Sequence, residues 1–202
     1  MPAPAFVYLA SQSPRRRQLL EQLGVKYELL LPDASEDAEA LEEQLAFESA
    51  RSYVQRVTLL KLDAALVRMK RRGLPVAPVL CSDTTVALGT RILGKPDTPS
   101  HAQQILATLS GKTHRVLTSV ALGSARQHKQ VLSTSRVRFA PMTTLQIKHY
   151  VASGEPMGKA GAYAIQGRAA AYVEHISGSY SGIMGLPIFE TAQLLRDFGF
   201  RV

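Results

Sequence analysis

The sequence contains one cysteine, no tryptophan and only 6% aromatic residues. Cys81 alone cannot form an intramolecular disulfide or a thiolate metal cluster, so we expect a reducing compartment and no structural zinc. No apolar run approaches the roughly 18 residues of a membrane-spanning helix. The basic cluster near the start follows an apolar stretch, which is the reverse of a secretory signal peptide. We therefore expect a cytoplasmic protein that does not enter a membrane.

Carboxylates are missing from one long part of the chain. None lies between Thr98 and Gly154, whereas Glu28 to Glu48 contains eight, and the whole chain of 202 residues has a net charge of +8. A basic excess indicates a polyanionic partner, which includes nucleic acid, nucleotides and acidic lipid. The scarcity of aromatic residues and of any basic tail argues against base stacking along a nucleic acid strand.

Short apolar strands alternate with helical patterns along the chain. The patterns predict strands over 6–10, 27–31, 76–88, 113–122, 131–139 and 170–176, and helices over 14–23, 42–72, 100–109, 144–152 and 187–198. A Gly-rich loop, GSYSGIMG, precedes the last helix. This order predicts an α/β fold with a mixed, twisted sheet flanked by helices. Residues 1–202 form either a single body or two lobes around a central cleft.

Two familiar phosphate-binding motifs are excluded by spacing. Gly111-Lys112-Thr113 ends like a P-loop, but Leu106 stands where that loop requires a glycine. The glycines of GSYSGIMG are spaced unlike the dinucleotide fingerprint. The five histidines show no metal-ligand spacing, and we expect each to be a surface or core residue.

A predicted strand passes into a helix at SQSPRRR (11–17). Free backbone N–H groups and the helix dipole favour anions at such a junction, and arginines there bind phosphate bidentately. The alternative reading is an ordinary N-cap followed by a solvated basic turn.

Asp83 interrupts an apolar strand pattern, and a carboxylate in such a position is either paired or functional. With Glu36 from the acidic stretch it could hold Mg²⁺ at a triphosphate, or it could instead orient or deprotonate water. The alternatives are a satisfied strand-end hydrogen bond for Asp83 and a solvated loop acid for Glu36.

Three separated lysines are further candidates: Lys61, Lys95 and Lys159. The last two lie beside turn residues, and lysines on rigid turns are good point charges for phosphate oxygens. Each of them, taken singly, is equally compatible with an ordinary surface lysine.

Together these segments resemble the Maf family of nucleoside triphosphate pyrophosphatases. The segments that carry the resemblance are LASQSPRR (9–16), SDTTV (82–86), GKPDT (94–98), LSGKTHRVLT (109–118), GEPMGKAGAYAIQG (154–167) and GSYSGIMGLPIFET (178–191). The resemblance implies a fold like that of the inosine triphosphate pyrophosphatases. It also implies hydrolysis of a nucleoside triphosphate to the monophosphate and pyrophosphate, with Mg²⁺ or Mn²⁺ as cofactor.

The resemblance assigns a role to each candidate residue. Asp83 takes the place of the catalytic carboxylate that is described as the proton acceptor. The other cleft positions fall on Ser11, Arg15, Arg16, Glu36, Lys61, Lys95 and Gln166. The KAGAYAIQG segment resembles the branch of the family that prefers dTTP and UTP, and Arg15, Thr84 and Gln166 occupy the positions associated with that choice. A glutamine side chain can pair with both O4 and N3–H of thymine or uracil.

These assignments predict a mechanism. The triphosphate lies on the junction at 11–16, with Lys61 and Lys95 neutralising its charge and Lys159 as a further phosphate contact. The metal is shared between phosphate oxygens, Glu36 and Asp83, and water attacks the α-phosphorus. Asp83 either positions or deprotonates that water, because an ordinary aspartate with a pKa near 3.9 is a weak base at neutral pH.

Several alternatives stay open from the sequence. The enzyme could act on modified pyrimidine nucleotides in a house-cleaning role, or belong to the N7-methyl-GTP or CTP type. A non-catalytic regulator of cell division or nucleic-acid binder would instead show a steeply salt-dependent affinity for DNA or RNA. We expect a nucleoside triphosphate as partner, with no stable nucleic acid and no membrane, and the resemblance implies a homodimer. The chain departs from the family's usual residues at Ser35, Ser82, Gly158 and Gly182, and two of these replace acids that would affect metal binding.

Overall fold

The computed structural model of the chain describes residues 5–33, 36, 40–125 and 127–202. Strands and helices alternate through most of this length, as the sequence predicts. The strands are β1 (Val7–Leu9), β2 (Tyr27–Leu29), β3 (Val79–Leu88), β4 (Arg91–Leu93), β5 (Thr113–Gly123), β6 (His128–Phe139) and β7 (Val173–Ser177). The helices are α1 (Pro14–Glu21), α2 (Ala50–Arg71), α3 (Pro99–Leu109), α4 (Thr144–Ala152), α5 (Tyr180–Met184) and α6 (Ile188–Asp197). Short 3-10 turns cover Ala40–Glu42, Ala160–Ala162 and Arg168–Tyr172.

All seven strands join one mixed sheet in the order β2-β1-β3-β5-β6-β7, with β4 paired to β3. β1 pairs in parallel with both β2 and β3, whereas the other pairings are antiparallel. The β5–β6 pair runs in unbroken register from Thr113 opposite Arg138 to Gly123 opposite His128. The predicted mixed α/β sheet is therefore confirmed.

Helices cover both faces of the sheet. Leu20 of α1 and Leu195 of α6 pack with Leu9 on one face. Leu62 of α2 packs with Tyr8 on the other. Alternate residues of a strand point to opposite faces, so neighbouring residues of β1 serve different cores.

The face covered by α1 contains two separate apolar cores. Leu80 of β3 belongs to the core under α1 and α6, and Val86 of the same strand belongs to a second core under α3 and α4. Between them the same face carries the polar residues Ser82 and Thr84. The polar residues therefore lie between the two cores.

The structure corrects four predicted elements. The long helix begins at Ala50 rather than at residue 42, because Ser49 caps it and Phe47 has a positive φ of 60° that a helix does not accommodate. β7 begins at Val173 because a 3-10 turn occupies the residues before it. Part of the predicted Gly-rich loop is the short helix α5, and β4 was not predicted. No helix among the described residues is long and apolar enough to cross a membrane.

Candidate active site

A gap in the pairing of β3 creates the site. On the edge of β3 opposite β5, β1 pairs only with Val79 and Leu80, and β4 pairs only from Val86 onward. No strand in the described chain pairs with residues 81–85 on this edge, and Asp83 lies in the middle of them. The sequence pattern that singled out Asp83, a polar break in an apolar run, therefore marks the open part of the strand.

A pocket of about 480 Å³ occupies this gap, at the carboxyl end of β1. The helices that follow β1 and β2 cover opposite faces of the sheet, and open α/β sheets bind ligands where successive crossovers diverge in this way. The volume falls within the range of about 300–1,000 Å³ that is usual for small-molecule sites. Among the described residues, six cationic side chains and two carboxylates line the pocket. We conclude that its chemistry favours a polyanion.

Asp83 is buried and is held by a lysine of α2. Its Oδ1 accepts a hydrogen bond from Lys61 Nζ at 2.6 Å. The same ammonium lies 2.8 Å from Glu42 Oε1, and Glu42 Oε2 lies 2.6 Å from Lys95 Nζ. Burial alone would lower the pKa of Lys61, but Asp83 and Glu42 outweigh that effect and raise it above its ordinary value. Four charged groups thus form one continuous chain along this wall of the pocket.

The two arginines of α1 are held in a different way. Arg16 Nε donates to the Gly185 carbonyl at 2.9 Å, and Arg15 Nε lies 3.4 Å from the Met184 carbonyl. Arg16 also lies within hydrogen-bond distance of the hydroxyls of Ser11 and Thr84. Neutral acceptors orient these guanidinium groups without cancelling their charge.

Hydroxyl groups of β3 and β5 hold α5 and the residue after it in place. Ser82 Oγ donates to the Gly185 carbonyl at 2.9 Å, and Thr118 Oγ1 donates to the Gly182 carbonyl at 2.7 Å. Ser82 is one of the polar residues between the two cores, and Thr118 lies opposite Thr84 in the β3–β5 pair. These hydroxyls of the sheet therefore fix α5 and the residue after it. The carbonyls of Met184 and Gly185 in turn orient the two arginines of α1.

Lys159 and Gln166 also line the pocket. Lys159 Nζ donates to the backbone carbonyl of Glu155. Burial first, and then the charge of Arg15, lower the pKa of Lys159 below its ordinary value. Gln166 is exposed, so its amide is free to meet a ligand. Arg15, Arg16 and Lys159 take part in no salt bridge with any described residue.

Glu36 lies away from Asp83 in this structure. Its carboxylate accepts hydrogen bonds of 2.6–3.0 Å from the Arg68 guanidinium and one of 2.8 Å from Arg71. The Arg68 hydrogen bonds are the main cause that lowers the pKa of Glu36. Glu36 is not among the pocket-lining residues, and the carboxylate that shares a lysine with Asp83 is Glu42.

The structure thus brings nine of the ten residues singled out from the sequence to one pocket: Ser11, Arg15, Arg16, Lys61, Asp83, Thr84, Lys95, Lys159 and Gln166. Sequence reasoning missed Glu42 and Arg68. Both lie outside the motifs, and their partners are 19 to 53 residues away, so no local pattern could have revealed them. Ser35, one of the family departures, lies outside the described residues.

The chain matches a known protein family over most of its length. Residues 6–198 match the family described as Maf-like protein. Among solved structures, the Ham1 protein of Staphylococcus aureus aligns with 66% of this chain and 71% of its own, at 13% identity and a TM-score of 0.43. So weak an alignment carries no argument.

Similar sequences extend over the whole chain. A protein of Albidiferax ferrireducens is 69% identical over 98% of both chains. One of a Polaromonas species is 66% identical over 100% of both chains. One of Cupriavidus metallidurans is 63% identical over 96% of this chain and 98% of its own. Each is named dTTP/UTP pyrophosphatase. With the family match covering nearly every described element, this chain belongs to the Maf family.

Proposed function

We propose that this chain hydrolyses dTTP and UTP to the nucleoside monophosphate and pyrophosphate. The observation that carries the proposal is the placement of Asp83 at the open edge of β3, inside a pocket in which, among the described residues, cationic side chains outnumber carboxylates six to two. The relatives named dTTP/UTP pyrophosphatase support the choice of nucleotide. The volume of the pocket suits a free nucleoside triphosphate.

The charged walls suit a triphosphate. Arg15, Arg16 and Lys159 form no ion pair with any described residue, whereas Lys61 and Lys95 are paired with carboxylates. Guanidinium groups bind phosphate oxygens bidentately, whereas ammonium groups act as point charges. We assign the phosphates to these five cations and the base to the side of Gln166, whose amide can pair with O4 and N3–H of a pyrimidine.

Asp83 is the group that acts on water in this proposal. Its carboxylate faces the pocket, with one oxygen on Lys61 and the second available to a water molecule. The water attacks the α-phosphorus, the bond from that phosphorus to the bridging oxygen breaks, and pyrophosphate leaves with the electron pair. Oriented cations in a low-dielectric pocket stabilise the charge that develops on the phosphate oxygens.

A divalent cation, Mg²⁺ or Mn²⁺, fits Asp83 better than Glu36. Such cations are commonly bound by one or two carboxylates together with substrate phosphate oxygens. Among the described residues, no group of three or more His, Cys, Asp or Glu side chains could hold a metal by itself. Glu36 is engaged by two arginines, so it joins the site only if it leaves them. When bound, the cation would neutralise phosphate charge.

A nucleotide panel tests the proposal. Release of pyrophosphate is measured for dTTP, UTP, CTP, N7-methyl-GTP and modified pyrimidine triphosphates, each with Mg²⁺, Mn²⁺ or EDTA. The expected result is fastest release from dTTP and UTP. Hydrolysis in water enriched in oxygen-18 should place the label in the monophosphate, because the water attacks the α-phosphorus. A label in the pyrophosphate, or a preference for N7-methyl-GTP, contradicts the assignment.

The catalytic role of Asp83 has its own test. Asp83→Asn should lower kcat by roughly 10²–10⁴-fold if the carboxylate acts on water. The matched control is Asp63→Asn, which makes the same change on the exposed face of α2 and should keep wild-type turnover. Wild-type turnover in Asp83→Asn would refute the assignment. The homodimer and the cytoplasmic location stay predictions.

A further inference from the structure

Glu42 holds a position that the family motifs do not assign. Its carboxylate bridges the two phosphate-side lysines, with Lys61 Nζ at 2.8 Å and Lys95 Nζ at 2.6 Å. The side chain is 25% exposed, against 11% for Asp83. Of the two carboxylates that line the pocket among the described residues, Glu42 is therefore the one in closer contact with solvent and with an entering ligand.

The backbone of Glu42 is fixed independently of its carboxylate. The hydroxyl of Tyr53 on α2 donates to the Glu42 carbonyl at 2.8 Å, and Arg56 donates to the Glu43 carbonyl at 2.8 Å. These contacts hold the 3-10 turn against α2. The turn should therefore stay in place when the charge of Glu42 is removed.

Three other cations of the pocket have no such partner among the described residues. The guanidinium groups of α1 and the ammonium of Lys159 are oriented by backbone carbonyls. Arg68 is bound by Glu36, whereas Lys61 and Lys95 are bound by carboxylates of the pocket, and Glu42 is the one that binds both lysines. The carboxylate thus lies where two lysines meet, as a phosphate group would.

We propose that Glu42 is a built-in counter-ion that an entering phosphate group must displace from Lys61 and Lys95, so that Glu42 sets the affinity of the pocket for its polyanionic ligand. The inference rests on the proposed function for the nature of that ligand. Glu42 keeps the two lysines neutralised in the empty pocket and opposes phosphate through like-charge repulsion. It is a positioning residue for the lysines and does not act on the substrate.

The test is the binding of inorganic pyrophosphate to the full chain, measured by calorimetry in EDTA. Without metal, only the electrostatic competition is measured. Glu42→Gln should lower the Kd about 5-fold, the scale of a partly exposed ion pair. Glu43→Gln removes the same charge from the next, exposed residue and should leave the Kd unchanged. Glu42→Ala should shift the Kd in the same direction as Glu42→Gln. It replaces the glutamine variant in the test if that variant does not fold.

A double-mutant cycle shows whether the lysine carries the effect. In a Lys95→Gln background, Glu42→Gln should give a much smaller gain in pyrophosphate affinity than it gives in the wild type. Weaker or unchanged binding by Glu42→Gln, or an equal gain from Glu43→Gln, overturns the inference. Absence of pyrophosphate release from dTTP by the wild type would instead refute the proposed function, which is a separate measurement.

Discussion

A buried histidine next to the pocket should make folding sensitive to mild acid. His114 lies on β5 and is only 1% exposed. Its Nε2 is 2.8 Å from the hydroxyl of Tyr163, which lines the pocket, and its ring packs edge-on against Phe139 and Tyr163. Burial lowers the pKa of His114 from 6.5 to about 4. The folded chain therefore keeps this ring neutral at pH values where the unfolded chain protonates it.

The sign and size of the effect follow from linkage. Below pH 6.5 the His114 ring becomes protonated in the unfolded state, whereas in the folded state it stays neutral until about pH 4. The free energy of unfolding therefore falls as the pH is lowered through this range. Between pH 7 and pH 5 the loss is about 2 kcal/mol, and it approaches about 3 kcal/mol at lower pH. Carboxylates with lowered pKa values lose their contribution only as the pH falls below about 4.5: Glu36, Glu42, Glu48 and Glu155. The window from pH 7 to pH 5 therefore isolates the histidine.

The assay is urea unfolding at pH 7 and pH 5. His114→Gln cannot be protonated in this range, so the wild type should lose about 2 kcal/mol more than this variant between the two pH values. His149→Gln makes the same change at an exposed residue of α4 and should behave like the wild type. Equal losses in the wild type and in His114→Gln would refute the reasoning, as would an NMR titration midpoint for His114 above pH 6.

Three further substitutions test the packing and the hydrogen bonds around the site. Gly161 has a φ of +71°, and an added Cβ would lie 2.8 Å from a methyl group of the buried Val86, so Gly161→Ala should lower the free energy of unfolding by about 2–4 kcal/mol. Gly158→Ala, with a φ of +69° and nothing within 4 Å, should cost only about 1 kcal/mol in the same urea titration. Ser82→Ala removes one of two donors to the Gly185 carbonyl, so it should raise KM for dTTP severalfold with little change in kcat, and an unchanged KM would contradict a positioning role.

Elements whose ends carry local signals could be predicted closely. The prediction for α4, residues 144–152, agrees with the structure, since Thr143 and Gln146 form a capping box at its start. The start of α2 could not be predicted in this way. Residues 42–48 include good helix formers, and only the backbone conformation at Phe47 and the cap at Ser49 separate them from the helix.

The candidate site likewise contains residues that local sequence patterns reveal and residues that only the fold reveals. Motif residues such as Asp83 and Lys95 could be named from the sequence, because a polar break in an apolar run and a lysine beside turn residues are local features. The contacts of Glu42 could not be predicted, because they depend on how a 3-10 turn folds back onto α2 and meets Lys95 from a distant loop. Long-range ion pairs leave no periodic trace in a sequence. The arginine partners of Glu36 could not be predicted for the same reason, since Arg68 lies 32 residues further along.

The uneven charge of the sequence makes the pocket asymmetric rather than simply basic. The acidic stretch folds against α2, where Asp33 and Glu36 pair with Arg71 and Glu42 pairs with Lys61. These ion pairs neutralise positive charge on the side of the pocket that contains Asp83. The arginines of α1, which form the arginine wall, have backbone carbonyls as partners and keep their charge. An incoming polyanion is therefore attracted first to the arginine wall. From the proposal for Glu42 we expect the polyanion to reach Asp83 by exchanging one counter-ion for another, so that the distribution of acids, more than the total charge, determines access to this carboxylate.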